Sequence, residues 1–253
     1  MVRNNHSNEN RRKLNELLQS GVRSFGRENL SDLLNYARFL ADIEKVLVVI
    51  SDMTAGNSHI IAGGFARNLD LGDYRQENSI WEKRIFSLMP QQALEEKYIA
   101  ELRFFHYLRH LPKSKKSDYC LVSKLRFRFI DGKTHDVLHR MYYIFDEDKE
   151  NVQFAICIYG PLPFDFSGKS HVVNSITGIT EELTASDDDK ILSPRERQVL
   201  SLIDTGMKSV EIARQLNISI HTVSRHRQEI ISKLQVKNTH EACRLAKALK
   251  IIH

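Results

Sequence analysis

The 253-residue sequence predicts an α+β chain: a five-stranded antiparallel sheet covered by helices, then an all-α domain of four short helices. Three observations predict it. Alternating strands come late in the first part, after a largely helical middle. The last sixty residues carry helix punctuation and no strand pattern. Charge divides in the same place: residues 192–253 hold eleven Lys and Arg against five Asp and Glu, a net +6, whereas the whole chain is +5, leaving −1 for the rest. A basic tail on a near-neutral body fits a module that meets phosphate, carried by a globular domain that does not.

Residues 1–10 are polar and without periodicity, and are expected to be disordered. Leu14, Leu17, Leu18 and Val22 predict a short amphipathic helix. Residues 30–44 predict a second, capped by Ser31, with Leu33, Leu34, Ala37, Leu40 and Ala41 inward. Such leading helices either pack on the core or pair subunits. Residues 46–50 read as a strand, 52–57 as a turn and 58–62 as a second strand. Residues 65–111 are expected to be mostly helical, ending in a helix over 91–111 that Pro112 closes. Leu125, Phe127 and Phe129 then alternate with Lys124, Arg126 and Arg128. Asp131 and Gly132 signal a hairpin turn, and residues 135–145 return as a long strand. A strand over 152–159 follows, and a final hairpin is expected within 171–183. The expected boundaries are 1–44 for a helical extension, 45–183 for the sheet domain, 184–190 for an acidic linker with Asp187, Asp188 and Asp189, and 191–253 for the helical domain.

In the helical domain Ser193, Pro194 and Glu196 spell a capping box with proline at the first helical position, and Gly206 ends that helix. Ile212, Ala213 and Leu216 face inward from a second helix. Ser219 caps a third, and Asn238 with Glu241 starts a fourth. On the third helix Val223, Ile230 and Leu234 fall on one side. His221, Ser224, Arg225 and Gln228 fall on the other, at i, i+3, i+4 and i+7. That face is polar and cationic: arginine can grip guanine with two donors, and glutamine can pair with adenine. His221, Thr222, Arg227, Lys233 and Lys237 lie on or around it, where phosphates would pass. The plain alternative is the solvated side of an ordinary helix. Three capped neighbours favour DNA binding.

Residues 192–250 resemble the LuxR/GerE-type (NarL/FixJ-like) DNA-binding domain. The resemblance is carried by Leu192, Pro194, Arg195, Glu196, Val199 and Leu200, then Gly206, Glu211, Ile212, Ala213 and Leu216, the run from Ile218 to Val223, and His226, Ile230, Lys233, Leu234 and Val236. It implies base readout from Ser224, Arg225 and Gln228, phosphate contacts near Thr222 and Arg227, and dimer contacts through Ala242, Leu245 and Ala246 of the fourth helix. One position departs: the family has serine, threonine or asparagine capping the second helix, and here Lys208 stands there. Either Ser209 caps a shifted helix, or Lys208 reaches a phosphate. Residues 45–159 resemble a PAS sensor domain, most closely at residues 125–133 and 137–140. That resemblance implies a small chamber between sheet and helices which takes a ligand or passes on a conformational change. It identifies no ligand, so an unknown small molecule is the only cofactor expected.

Other classes find little support. Cys120, Cys157 and Cys243 are odd in number and form no CxxC pair, so reduced thiols are expected rather than zinc or disulfides. The N-terminus has no apolar signal core, and the longest aliphatic run is far short of a membrane span, so a cytoplasmic protein is expected. His106 and His110 stand at i, i+4, a metal-capable spacing without an evident third ligand, so packed or solvent-facing histidines are expected. The Asn-Cys-Arg context of a flavin light sensor is absent, and Trp81 and the tyrosines and phenylalanines read as core. A phosphorylated receiver domain needs clustered acids and alternating βα units. An acyl-homoserine-lactone domain usually has several pocket tryptophans, and here there is one. No nucleophile elbow, P-loop or dinucleotide fingerprint argues for an enzyme. The expectation is a dimeric regulator of double-stranded DNA, in contact with the transcription machinery and controlled by a sensor. The alternative is a protein-interaction adaptor whose helix-turn-helix no longer reads DNA.

Overall fold

The computed structural model describes residues 28–146, 151–184, 192–234, 238–248 and 251–252. The helix expected from Leu14 to Val22, the acidic run Asp187 to Asp189, and Lys237 lie outside them, as does the side chain of Leu245. The chain divides after Leu183 into two compact units.

The first unit opens with α1 (Glu28–Glu44), an amphipathic helix as the spacing predicts. Strand β1 (Leu47–Asp52) follows. Every residue of β1 is buried, which is what an unbroken Leu-Val-Val-Ile run implies: both faces are covered. It pairs antiparallel with β2 (Asn57–Ala62). Gly63 ends β2 where a Cβ would lie 2.2 Å from the Ala41 carbonyl oxygen and 2.3 Å from that of Val46, so only glycine fits. The long middle is less helical than its composition suggests. A 3-10 turn over Gly64–Asn68 and the two-residue strand β3 (Gln76–Glu77) come first. Helix α2 (Lys83–Ser87) and the long α3 (Gln91–Arg109) follow. The glycines, Asn68, Asp70 and Asp73 break the apolar pattern between residues 63 and 73, and turns form there.

Strands β4 (Tyr119–Arg128), β5 (Thr134–Phe145) and β6 (Val152–Pro161) form the expected meander. At the first turn Gly132 has φ +77° and the Asp131 carboxylate accepts from the Lys133 N–H at 2.8 Å. The hairpin β7 (Ser170–Asn174) and β8 (Thr180–Glu182) extends the sheet. The order is β3-β2-β1-β6-β5-β4-β7-β8, with every neighbouring pair antiparallel. The five expected strands are its centre. Eight are present among the described residues because β3 and the late hairpin add to the two edges.

One sheet face packs on α1, where Ala37 and Ala41 meet Val46, Val48, Ile50, Phe154 and Ile158. The other face packs toward α3, where Phe104 stacks on Tyr143 at 5.6 Å. Covering both faces leaves β6 almost wholly buried.

The second unit is α4 (Pro194–Asp204), α5 (Ser209–Leu216), α6 (Ile220–Leu234) and α7 (Thr239–Ala248). Its core is Leu192, Val199, Leu200, Ile212, Ala213, Val223, Ile230, Leu234, Ala242, Cys243 and Ala246, all buried. Among the described residues no helix is long and apolar enough to cross a membrane.

Candidate nucleic-acid interface and a buried polar cluster

Local hydrogen bonds fix the helical unit. The Ser193 hydroxyl accepts from the Glu196 N–H at 3.3 Å, and the Glu196 carboxylate accepts from the Ser193 N–H at 2.7 Å. Helix α5 starts at Ser209 with Lys208 at its N-cap. Lysine offers no acceptor, and the Glu211 carboxylate alone closes the turn, 2.7 Å from the Lys208 N–H. The start is therefore not shifted, and the Ser209 hydroxyl does something else, described below. Asn217 ends α5 in the left-handed conformation at φ +53°. Ser219 then accepts from the Thr222 N–H at 3.0 Å, and Asn238 from the Glu241 N–H at 2.9 Å.

Between these caps α6 has its apolar side fixed by Val223, Ile230 and Leu234. Its opposite side is open: His221, Ser224, Arg225 and Gln228 are all exposed. Arg225 donates from Nε to Glu229 at 2.9 Å, one turn on, leaving its two terminal nitrogens outside that contact.

Two of the flanking cations, Lys233 and Arg227, have partners inside the domain. Lys233 Nζ lies 2.7 and 2.8 Å from the two carboxylate oxygens of Glu196, a residue only 2% exposed. Burial alone would raise the Glu196 carboxyl. The Lys233 ammonium and the Ser193 bonds outweigh it and hold the group below its usual range. Arg227 donates to the Ser209 hydroxyl at 2.9 Å and to the Thr239 hydroxyl at 3.1 Å, tying α6 to the starts of α5 and α7. Thr222 belongs to the α6 cap, its hydroxyl 2.8 Å from that of Ser219. Lys233 thus ties α6 to α4, and Arg227 has two donors committed inside the domain. Of the three expected dimer contacts, two have described side chains. Ala242 and Ala246 are 0% exposed, packed into the domain's own core, and so offer a partner no surface. Among the described side chains of α7, His240 and Lys247 are exposed.

The sheet unit holds a cluster of buried polar side chains, which sequence reasoning missed. On α3 Lys97 and Glu101 are 2% and 3% exposed and meet at 2.5 Å. Lys97 also lies over the Phe86 ring, 4.8 Å from its centre. Burial works against the Lys97 ammonium, but Glu101 and the nearby acids raise it above its usual value. Glu82, buried beside them, accepts from the Ser51 hydroxyl at 2.9 Å, and burial pushes its carboxyl up. A polar row crosses the sheet in register: Tyr159 opposite His139, His139 opposite Ser123, Ser123 opposite Ser170. His139 stacks on Tyr159 at 4.9 Å and is 0% exposed, and burial, then Lys97, push its imidazole well down, so it is neutral. Neither ring nitrogen of His139 has a hydrogen-bond partner, nor do the hydroxyls of Ser123 and Tyr143. Glu101 is 4.0 Å from His139 Nε2, too far for a bond.

Glu101, His139 and Cys157 stand close enough to share a metal ion. The ammonium of Lys97 already neutralises Glu101 there, which disfavours a second cation. His106 is buried and lowered to about 3 by burial and then by the charges of Arg109 and His110. His110 Nδ1 is 2.8 Å from the His106 carbonyl oxygen, and neither ring joins a ligand cluster among the described residues. One signal was available for the missed pair. Ala93, Lys97, Ala100, Glu101, Phe104 and Leu108 recur at helical spacing on one buried arc, and two of the six are charged.

Residues 190–246 match the family model described as bacterial regulatory proteins, luxR family. The transcriptional regulatory protein RcsB of Escherichia coli is 39% identical over 72 residues, which is 28% of this chain and 33% of that protein. The oxygen regulatory protein NreC of Staphylococcus epidermidis is 38% identical over 74 residues, 29% of this chain and 34% of that protein. The chain thus spans about a third of the length of these relatives. Among solved structures, the Vibrio cholerae VqmA dimer without its target DNA, described as a LuxR-type receptor, aligns over 86% of this chain and 87% of that one, at 19% identity and a TM-score of 0.31.

Proposed function

We propose that this chain, whose residues 190–246 match the luxR family model, is a DNA-binding transcription regulator which reads base edges through α6. The observation that carries the reading is the open face of α6. Its apolar side is packed into a capped four-helix core, and Ser224, Arg225 and Gln228 are exposed on the other side. One such face spans only a short half-site, so two copies on one duplex gain affinity through effective concentration.

We further propose that the sheet unit sets when the two copies suit the DNA. Supporting this are the orphaned polar atoms of His139, Ser123 and Tyr143 beside the Lys97–Glu101 pair. Buried polar groups without protein partners are costly, and each calls for an explanation such as stored strain, a chemical role, or a bound water or ion. An adaptor that ignores DNA would have no use for an exposed Arg225 and Gln228 on a helix held so firmly. The test is duplex titration with the full-length protein across several salt concentrations. Binding should weaken linearly in log–log form with salt, and should distinguish a preferred duplex from random sequence. Equal affinity for every duplex would remove the regulator reading and leave general phosphate binding.

A further inference from the structure

A cleft of about 700 Å³ opens in the sheet unit, apart from the buried polar cluster. It lies where α1 leads into β1, beside the end of β2 and the 3-10 turn that follows. Its size falls within the range of small-molecule sites. Leu69 and Leu71, both buried, give it an apolar lining. Its charged residues are Lys45, Arg67 and Arg75 against one acid, Asp42. The chain before residue 192 is net −1, so this concentration of cations is local.

The backbone positions two of the three cations. Lys45 stands in the left-handed region at φ +60°, a conformation that strains a non-glycine residue and recurs at ligand clamps. Its carbonyl oxygen accepts from the Phe65 N–H at 2.5 Å. Its stem runs along Gly64, where a Cβ would lie 3.3 Å from Lys45 Cβ and 3.4 Å from its Cδ. Arg75 donates from Nη1 to the carbonyl oxygens of Gly72 and Tyr74 at 3.3 and 3.2 Å, which leaves Nη2 outside those bonds. Among the described residues, Lys45, Arg67 and Arg75 have no acidic partner within ion-pair distance.

We infer that this cleft binds a small phosphomonoester, a phosphate group on an organic body. Such a phosphate carries about −1.5 to −2 charge at pH 7, which balances three cations offset by one acid. A carboxylate brings a single charge and would leave the cleft positive. The planar forks of Arg67 and Arg75 match pairs of phosphate oxygens, and Lys45 adds a point charge. Gly63 and Gly64 carry no side chain, so the ligand can approach the backbone between them. Leu69 and Leu71 meet the organic body, a part that a free phosphate ion lacks.

The inference is independent of the regulator reading, since DNA takes no part in it. Its test is calorimetric titration of the full-length protein with phenyl phosphate, inorganic phosphate and benzoate. Phenyl phosphate should bind saturably, one per chain, at least tenfold tighter than either of the others. The double variant Arg67→Gln, Arg75→Gln should weaken it at least tenfold. The same charge change at Arg126 and Arg128, exposed on β4, should leave it unaltered. Lys45→Gly should also weaken it at least tenfold, while the melting temperature stays level or rises, because glycine is unstrained at that φ. Absence of saturable binding by phenyl phosphate would overturn the proposal. So would equally tight binding of inorganic phosphate or benzoate, equal losses in the two double variants, or unchanged binding in Lys45→Gly.

Discussion

Two helices of this chain carry a cation and an anion four residues apart, in opposite surroundings. On α6 Arg225 and Glu229 meet at 2.9 Å with side chains 75% and 37% exposed. On α3 Lys97 and Glu101 meet at 2.5 Å with 2% and 3% exposed. In water the first pair is worth a few tenths of a kcal/mol up to about 1, so Glu229 can release Arg225 at little cost. The second pair has lost its hydration, and each charge depends on the other for compensation. The same spacing thus gives a detachable contact in the helical unit and a fixed one in the sheet unit. Burial, not sequence distance, decides which.

The comparison breaks most visibly at Glu101. Glu101→Ala leaves the Lys97 ammonium buried without its partner and should lower stability by about 3–5 kcal/mol in urea unfolding. The double variant Lys97→Met, Glu101→Leu removes both charges at similar volume and should recover most of that loss. A loss below about 1 kcal/mol for Glu101→Ala would mean the pair behaves as a surface contact.

A middle case sharpens the contrast. Lys233 is half exposed, but its partner Glu196 is buried and caps α4. Lys233→Ala should destabilise the helical unit by about 1.5–3 kcal/mol, the range of hydrogen bonds to charged groups. It should leave the salt slope of DNA binding nearly unchanged, whereas loss of a phosphate contact would flatten the slope by about one unit. The pH dependence has a definite sign. The Glu196 carboxyl is held below its unfolded value of about 4.3, so its contribution is present above that pH. It is lost as pH falls through the lower folded value. The difference between wild type and Lys233→Ala should therefore shrink in acid, and thermal melts from pH 7 to pH 3 would show it. A difference that grows in acid contradicts the assignment.

The smallest effect is expected at Glu229. Glu229→Ala should change stability by less than about 0.5 kcal/mol, as exposed helix pairs do. It should leave DNA affinity unchanged or slightly higher, because Arg225 loses a competitor. A clear loss of binding would show that Glu229 orients Arg225 rather than merely resting against it.

Legibility followed the same division. The helical unit could be read almost residue by residue, because caps are local: Ser193, Glu196, Ser219 and Asn238 act within three or four residues of themselves. The strands were legible where alternation or a hairpin turn marked them, as at Phe127 and Gly132. What stayed hidden depends on contacts distant in sequence. Lys233 meets Glu196 across 37 positions, and Arg227 meets Ser209 across 18, so a free cation and a committed one look alike in sequence. Ala242 and Ala246 looked like small interface residues, and only the packing of α7 inside its own unit shows them buried. The polar row at His139 needs the strand register, which sequence spacing alone does not fix.

Base readout by α6 is open to direct measurement. The most direct measurement is selection of preferred duplexes from a randomised library by the full-length protein, repeated with Arg225→Ala and Gln228→Ala. Wild-type protein should enrich a short motif repeated as two half-sites. Each variant should lose preference at particular base positions within the half-site while keeping the others, a loss of about 1–3 kcal/mol for a bidentate contact. Identical motifs from wild type and both variants, or no enrichment by wild type at all, would contradict it.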